Sequence, residues 1–267
     1  MSPLEPLLAV RLSVGYPNGP EVLRDIQLDL FPGEVLGLVG HSGSGKSTLA
    51  LAIFQLLWMK GGVSRGSIRF LGRELTSAGE RRMRRIRGKE ISLVLQSPVS
   101  SLNPALRIRT HFREAWKAHA KALSSHEEQD RFLDLLATVN LPADPRFLNC
   151  YPAQVSVGQA QRVLIAMAIL HRPKLPIADE PTSALDPITQ SEILDLFCKL
   201  NRTLEMAILY ISHDLHSVAS FCHRVAILHE GTVVECGETS RIFCAPEHPY
   251  SQRLVAALPR TPVGVRA

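Results

Sequence analysis

The chain has 267 residues, 45% of them hydrophobic and 21% charged, with 30 Lys+Arg against 25 Asp+Glu for a formal charge of +5. So much apolar content excludes a disordered chain, and the length suits one large domain, or a core with a small subdomain, but not two copies of a typical ~200-residue module. No stretch reaches the ~18–20 continuous apolar residues of a membrane helix; the nearest, Leu49–Met59, is interrupted by Gln55 and stops at Lys60. The opening Met1-Ser-Pro-Leu-Glu has neither a basic segment nor a small-residue cleavage site, so no secretory leader is expected. Cysteines at 150, 198, 222, 236 and 244 include no C-x-x-C pair. They predict neither a disulfide framework nor a zinc site, and a reducing compartment.

Alternation at Val10, Leu12 and Val14, and again at Ile26, Leu28 and Leu30, predicts two strands with one buried face. Pro32-Gly33 turns the chain into Glu34–Val39, a continuous apolar run of the kind covered on both sides. A glycine-rich loop and a helix over Lys46–Trp58 follow, then strands at Gly66–Phe70 and Ile91–Leu95. Between those strands, Arg81–Lys89 holds six of the 30 basic residues. Met83 and Ile86, spaced i,i+3, give this run a buried side, so it reads as the solvated face of a short helix, with anionic lipid headgroups a second use ahead of nucleic acid. From Ser97 to Leu170 the periodicity is helical, as at 132, 133, 135 and 136. Strand signals return at Leu175–Ala178, Ala207–Ile211 and Val225–Leu228, and a Glu230-Gly231 turn leads to Thr232–Glu235. Alternating strands and helices with a helical insertion predict an α/β domain carrying a helical subdomain.

Gly40-His41-Ser42-Gly43-Ser44-Gly45-Lys46-Ser47, with Thr48 next, has two glycines five apart followed by Lys-Ser, after a strand and before a helix. Glycines let backbone N–H groups converge on phosphate oxygens, and the helix N-terminus adds partial positive charge. Lys46 is expected to reach the β- and γ-phosphates and Ser47 to ligate Mg²⁺. Further on, Ile177-Ala-Asp179-Glu180 ends an apolar strand with two acids: the first suits a water-bridged Mg²⁺, the second an attacking water. Alone, such a pair is usually a surface turn. Here Pro181–Asp186 follows directly, Gln96 closes an earlier strand and His213 a later one. These are polar groups at strand ends, where open α/β sheets bind ligands. Tyr16, after the first strand, is placed to stack on a base.

In kind and order these motifs resemble the ATPase subunits of ABC transporters: an aromatic A-loop (Tyr16), Walker A (Gly40–Ser47), the Q-loop (Gln96), a signature region (Val155-Ser156-Val157-Gly158-Gln159), Walker B (Leu175–Asp179 with Glu180), the D-loop (Ser183–Asp186) and the switch histidine (His213). Gln96-Ser-Pro-Val-Ser-Ser-Leu-Asn-Pro104 and Ile242–Val255, which contains His248-Pro249-Tyr250, resemble the peptide/nickel importer subgroup. The resemblance implies a P-loop ATPase (RecA-like) core sheet with an antiparallel β-subdomain and an inserted helical subdomain. Residues 1–96 and 171–235 would form the core, 97–170 the helical subdomain and 236–267 a C-terminal extension. It implies ATP and Mg²⁺ as ligands, with Tyr16, the loop from Gly40 to Thr48, Ser156, Gly158, Gln159 and Asp186 serving nucleotide. Ser47, Gln96 and Asp179 would hold the metal; Lys46, Gln96, Glu180 and His213 would carry the chemistry.

The implied role is ATP hydrolysis energising uptake of di- or oligopeptides, or alternatively of nickel or a metal chelate, from the cytoplasmic face of the cell membrane. Implied partners are a second ATPase subunit, two integral membrane permease subunits and, indirectly, an extracytoplasmic substrate-binding protein; no nucleic acid is expected. A soluble ABC ATPase acting on nucleic acid or ribosomes is the rival class, disfavoured by the single cassette and the two importer-like stretches. Two departures stand out. Val157 replaces a glycine of the usual L-S-G-G-Q, which is expected to weaken the site that this signature completes. Pro176 sits inside the Walker B strand, where a missing hydrogen bond or a local bulge is expected, with Asp179 still in place.

Overall fold

The structure, a computed structural model, describes residues 5–17 and 19–258. The chain divides into two compact units: one comprises the segment up to Met83 and that from Glu205 onward, the other Arg84–Leu204.

In the first unit β1 (Leu8–Gly15) and β2 (Glu21–Leu30) pair antiparallel, with Val10 opposite Leu28 and Leu12 opposite Ile26, so the alternating apolar residues of both strands share one buried face. β3 (Val35–Val39) is buried at every residue. After the glycine-rich loop, α1 (Lys46–Ile53) ends earlier than the predicted Trp58. Gln55 takes a left-handed φ of 53°, and Leu57–Lys60 continue as a 3₁₀ turn closed by Gly61 at φ 72°. Trp58 and Met59 are 68% and 64% exposed, so no buried stripe extends the helix through them. β4 (Val63–Phe70) begins before the predicted Gly66 and pairs with the whole of β1, and β5 (Arg73–Glu74) completes the order β2-β1-β4-β5. α2 (Glu80–Ile86), within which the division between the units falls, buries Met83 and Ile86 and exposes Arg81, Arg82, Arg84 and Arg85, the solvated face expected of the basic run.

The first strand of the second unit is β6 (Ile91–Val94), followed by the helices α3 (Pro98–Ser101), α4 (Ile108–Lys117), α5 (Ser125–Thr138), α6 (Pro145–Leu148) and α7 (Val157–Ile169), then β7 (Leu175–Asp179) and α8 (Pro187–Leu204). α5 starts with a capping box between Ser124 and Glu127, and Phe132 on its inner face meets Phe112 of α4 edge-on at 5.4 Å. Arg113 on α4 clamps Glu128 on α5 with two bonds of 2.6 and 2.7 Å. β6 and β7 pair in parallel with unbroken register, Ser92 opposite Pro176, so the bulge considered for Pro176 does not form there. The reason is alternation: Leu175 donates its N–H to Glu90 on the β6 side, so the donor that Pro176 lacks belongs to the opposite side of β7.

Back in the first unit, β8 (Ile208–Ser212), α9 (Leu215–Phe221), β9 (Arg224–His229), β10 (Thr232–Glu238), α10 (Thr239–Cys244) and α11 (Pro249–Ala256) complete the described chain. The order is β10-β9-β3-β8, with β3 parallel to both β8 and β9. Glu230 and Gly231, both at positive φ, make the β9–β10 turn.

In the second unit, His171 stacks on Trp116 at 5.1 Å and 17°, His119 meets His171 edge-on at 5.1 Å, and Arg131 lies 4.1 Å from the Trp116 ring centre. Burial pushes both histidines below their ordinary 6.5, and the nearby Lys89 acts in the same direction on each. Below 6.5 the unfolded chain therefore binds more protons than the folded one, so the cluster's contribution is complete above that value and is lost as the pH falls. Thermal unfolding followed between about pH 7.5 and 5.5 should show a midpoint that drops on acidification, with a shallower drop in a His119→Phe/His171→Phe variant. An unchanged slope in that variant would remove the histidines from the account.

Candidate functional site

In the first unit, β3 ends at Val39, level with Ser212 of β8 on one side and Ile227 of β9 on the other. Gly40 and the exposed His213 therefore leave the same end of adjacent strands, and Asp214 caps α9 immediately behind. The loop cannot carry larger residues at two of its glycines. A Cβ at Gly40 would lie 2.3 Å from the Leu228 carbonyl oxygen, and one at Gly45 would lie 2.5 Å from Leu23 Cδ2. Gly43 and Gly45 also take φ of 81° and 108°.

Lys46, only 6% exposed, folds its side chain back over the loop, and Nζ donates to the carbonyls of Gly40 at 2.8 Å and His41 at 3.0 Å. The Ser44 hydroxyl is buried without a hydrogen-bond partner, Ser47 is exposed, and no acid occupies the first turn of α1. A helix N-terminus, an ammonium group, an orphan hydroxyl and glycines that leave room for backbone approach together make a cradle for phosphate oxygens. His41 and Ser42 form its exposed lip, and Thr48 is half-buried behind it. Tyr16 follows the end of β1 half-buried, its ring lying over Gly62, where a Cβ would be 3.0 Å from Tyr16 Cε1.

In the second unit, Gln96 Nε2 donates to Glu180 Oε2 at 2.9 Å. Glu180 has φ 48°, a left-handed conformation uncommon outside glycine, and its carbonyl accepts from Ser183 N at 3.3 Å and Ser183 Oγ at 3.1 Å. The turn at Ser183 thus holds a strained residue directly after Asp179, the half-buried last residue of β7.

Ser156 and Gln159 form a capping box at the start of α7, with Gln159 N donating to Ser156 Oγ and Ser156 N donating to Gln159 Oε1. Val157 is the first residue of α7 and 42% exposed. Gly158 has no such freedom: a Cβ there would lie 2.6 Å from Thr189 Cγ2. Asp186 fixes that threonine by accepting its hydroxyl at 2.7 Å and its N–H at 3.0 Å, together with the Ile188 N–H. These bonds, the Thr189 hydroxyl foremost, hold the exposed Asp186 carboxyl below its ordinary range. All of these Asp186 partners belong to α8. Thr189 is the residue that sequence reasoning missed, although a threonine three residues after a helix-capping aspartate was a readable signal.

Ser47, Gln96 and Asp179 offer a hydroxyl, an amide oxygen and a carboxylate, the oxygen donors that a hard cation such as Mg²⁺ takes. Among the described residues no group of three or more His, Cys, Asp or Glu gathers as a metal site.

The ABC transporter family matches residues 23–183. This chain belongs to that family. Among its ABC relatives it is 44% identical over 227 residues to the dipeptide transport ATP-binding protein DppD of Escherichia coli, covering 85% of this chain and 69% of that protein. It is 40% identical over 245 residues to the oligopeptide transport ATP-binding protein OppD of Bacillus subtilis, covering 91% and 68%. With the peptidoglycan transport ATP-binding protein YejF of Agrobacterium fabrum it shares 41% identity over 96% of its own length, but spans 48% of that relative, about half. Among solved structures it is similar to cbiO1 from Clostridium perfringens, described as part of an ABC transporter complex, with a TM-score of 0.77 at 27% identity, covering 96% of this chain and 97% of that one. It is also similar to the dimeric ATP-binding cassette MJ0796 bound to ADP and Pi, with a TM-score of 0.74 at 28% identity, covering 87% and 98%. The fold is that of a P-loop ATPase of the ABC type.

The contact between Gly158 and Thr189 can be tested by exchange. Gly158→Ala should destabilise the chain in denaturant unfolding by about 1–3 kcal/mol, the usual cost of overpacking. Adding Thr189→Ser, which deletes Cγ2 and keeps the hydroxyl on Asp186, should restore most of that loss. A single variant as stable as the parent would show that the helix start has room to spare.

Proposed function

We propose that this chain is the ATP-hydrolysing subunit of an importer for di- or oligopeptides. The hydrogen bond from Gln96 to Glu180 carries the hydrolytic part of this reading, because it aims a carboxylate held by a strained turn at the end of β7. The similarity to the dipeptide and oligopeptide transport proteins DppD and OppD supports peptides over nickel as cargo. In this reading the amides of Gly40–Ser47 and the N-terminus of α1 bind the phosphates, Lys46 exchanges its carbonyl partners for phosphate oxygens, and Tyr16 stacks on the base. Ser47, Gln96 and Asp179 are the residues that would hold Mg²⁺, which would supply neutralisation of phosphate charge. Glu180 takes a proton from the attacking water on a carboxylate oxygen, while Gln96 orients that carboxylate and His213 contacts the terminal phosphate.

Ser156, Gly158 and Gln159 serve a nucleotide held by a second ATPase subunit, with Asp186 beside them on the D-loop. The dimeric state of MJ0796 supports such pairing. Two permease subunits embedded in the membrane receive the motion, and an extracytoplasmic binding protein acts through them. The chain itself is assigned to the cytoplasmic face as a peripheral subunit; among the described residues no helix is long and apolar enough to cross a membrane. Residues 97–170 are assigned as the helical subdomain between core segments 1–96 and 171–235, with 236–267 as an extension.

Glu180→Gln should lower kcat for phosphate release by about 10²–10⁴-fold and leave ATP binding intact; turnover near the parent rate would remove Glu180 as the base. If Val157 attenuates the site that this signature completes, Val157→Gly in the assembled transporter should raise ATP turnover and uptake. Unchanged rates would show that the valine is neutral.

A further inference from the structure

The His248-Pro249-Tyr250 stretch marks a resemblance in the sequence, but the structure gives each residue a physical task. His248 caps α11, its Nδ1 accepting from Tyr250 N at 3.1 Å, and Pro249 takes the first helical position, where no N–H donor is needed. Glu235 on β10 accepts from Glu247 N at 2.9 Å and His248 N at 3.1 Å, tying the helix start to the sheet. Burial raises the Glu235 carboxyl, but hydrogen bonds led by these amides outweigh it and hold it below the ordinary range.

Anchored in this way, Tyr250 lays its ring flat on His229, the last residue of β9, at 3.7 Å and 13°. His229 Nδ1 is buried without a hydrogen bond, so packing fixes this ring more than polar contact does. Both rings meet His41 edge-on, His229 at 5.6 Å and Tyr250 at 6.4 Å. His41 is the second residue of the phosphate loop, and its carbonyl accepts from Lys46 Nζ at 3.0 Å and from Ser44 N at 3.2 Å. The ring cluster therefore grips the residue whose carbonyl shapes the cradle.

We infer that Tyr250 and His229 are positioning residues for ATP binding: through the His41 ring they hold the phosphate loop in its binding conformation, so that docking of α11 and loading of the loop are coupled. This rests on the reading above that the loop binds ATP. A preorganised loop has less ordering left to do when phosphate arrives, and coupling between two sites is reciprocal.

The test is a double-mutant cycle on the full chain, titrated with a fluorescent ATP analogue and Mg²⁺. Tyr250→Leu should weaken binding about three- to tenfold, the scale of a lost aromatic pair, whereas Tyr250→Phe, which keeps the ring, should bind like the parent. In a His41→Ala background, Tyr250→Leu should add no further loss, because its effect passes through that ring. Nucleotide should also slow hydrogen exchange in α11 of the parent but not of His41→Ala. Parent-like binding by Tyr250→Leu, or a loss that simply adds to that of His41→Ala, would overturn the inference. A parent chain that binds no nucleotide would instead overturn the ATPase reading. Should Tyr250→Leu not fold, His229→Leu removes the middle ring with the Glu235 anchor untouched and carries the same cycle.

Discussion

Parallel pairing of β3 between β8 and β9 is the constraint from which the chemistry of the first unit follows. A strand buried at every residue and bonded on both edges has no freedom in where it ends, so the loop at Gly40 begins at a fixed point beside the ends of two neighbours. The carbonyl of Leu228 lies where a side chain at position 40 would go, and that closeness brings the turn tightly across the sheet end before α1 starts. Lys46 then folds back onto carbonyls of its own loop, because the glycines leave those carbonyls and the space beneath them open. Rigid pairing sets the frame, and a few atoms of missing side chain set the function.

The second unit organises its polar groups through helix starts. Ser156 and Gln159 satisfy each other's backbone at α7, and Asp186 satisfies α8 while holding Thr189 against Gly158. The starts of α7 and α8 thereby share one steric contact. Capping is usually discussed as a stability device; here it also fixes which atoms of α7 can be small.

Strands were readable wherever burial imposed a simple pattern. The alternating faces of β1 and β2 and the unbroken apolar runs of β3, β7, β8 and β9 lie where hydrophobicity placed them, because a half-buried or fully buried strand has few other ways to satisfy its side chains. The phosphate-loop residues were readable for a different reason, since glycine spacing before Lys-Ser encodes backbone geometry directly. What escaped was set by single dihedrals and by contacts between distant segments. Nothing in Gln55 announces a left-handed φ that ends α1, and nothing in Pro176 says which side of β7 lacks a donor. Thr189 and the Tyr250–His229–His41 stack depend on tertiary placement that periodicity does not carry.

In the role proposed for Glu180, function and folding pull apart at one position. Its φ of 48° suits glycine or asparagine, and a side chain with a full Cβ there costs roughly 1–2 kcal/mol. Two bonds from Ser183 to its carbonyl offset part of that strain. Selection on stability alone would therefore drift toward glycine at this site, and a chain that had lost its activity would gain robustness in the same step. A carboxylate here stands against a thermodynamic gradient, which would make residue 180 a sensitive marker: in copies of this domain released from hydrolytic duty, it is among the first places where the backbone's own preference should reassert itself.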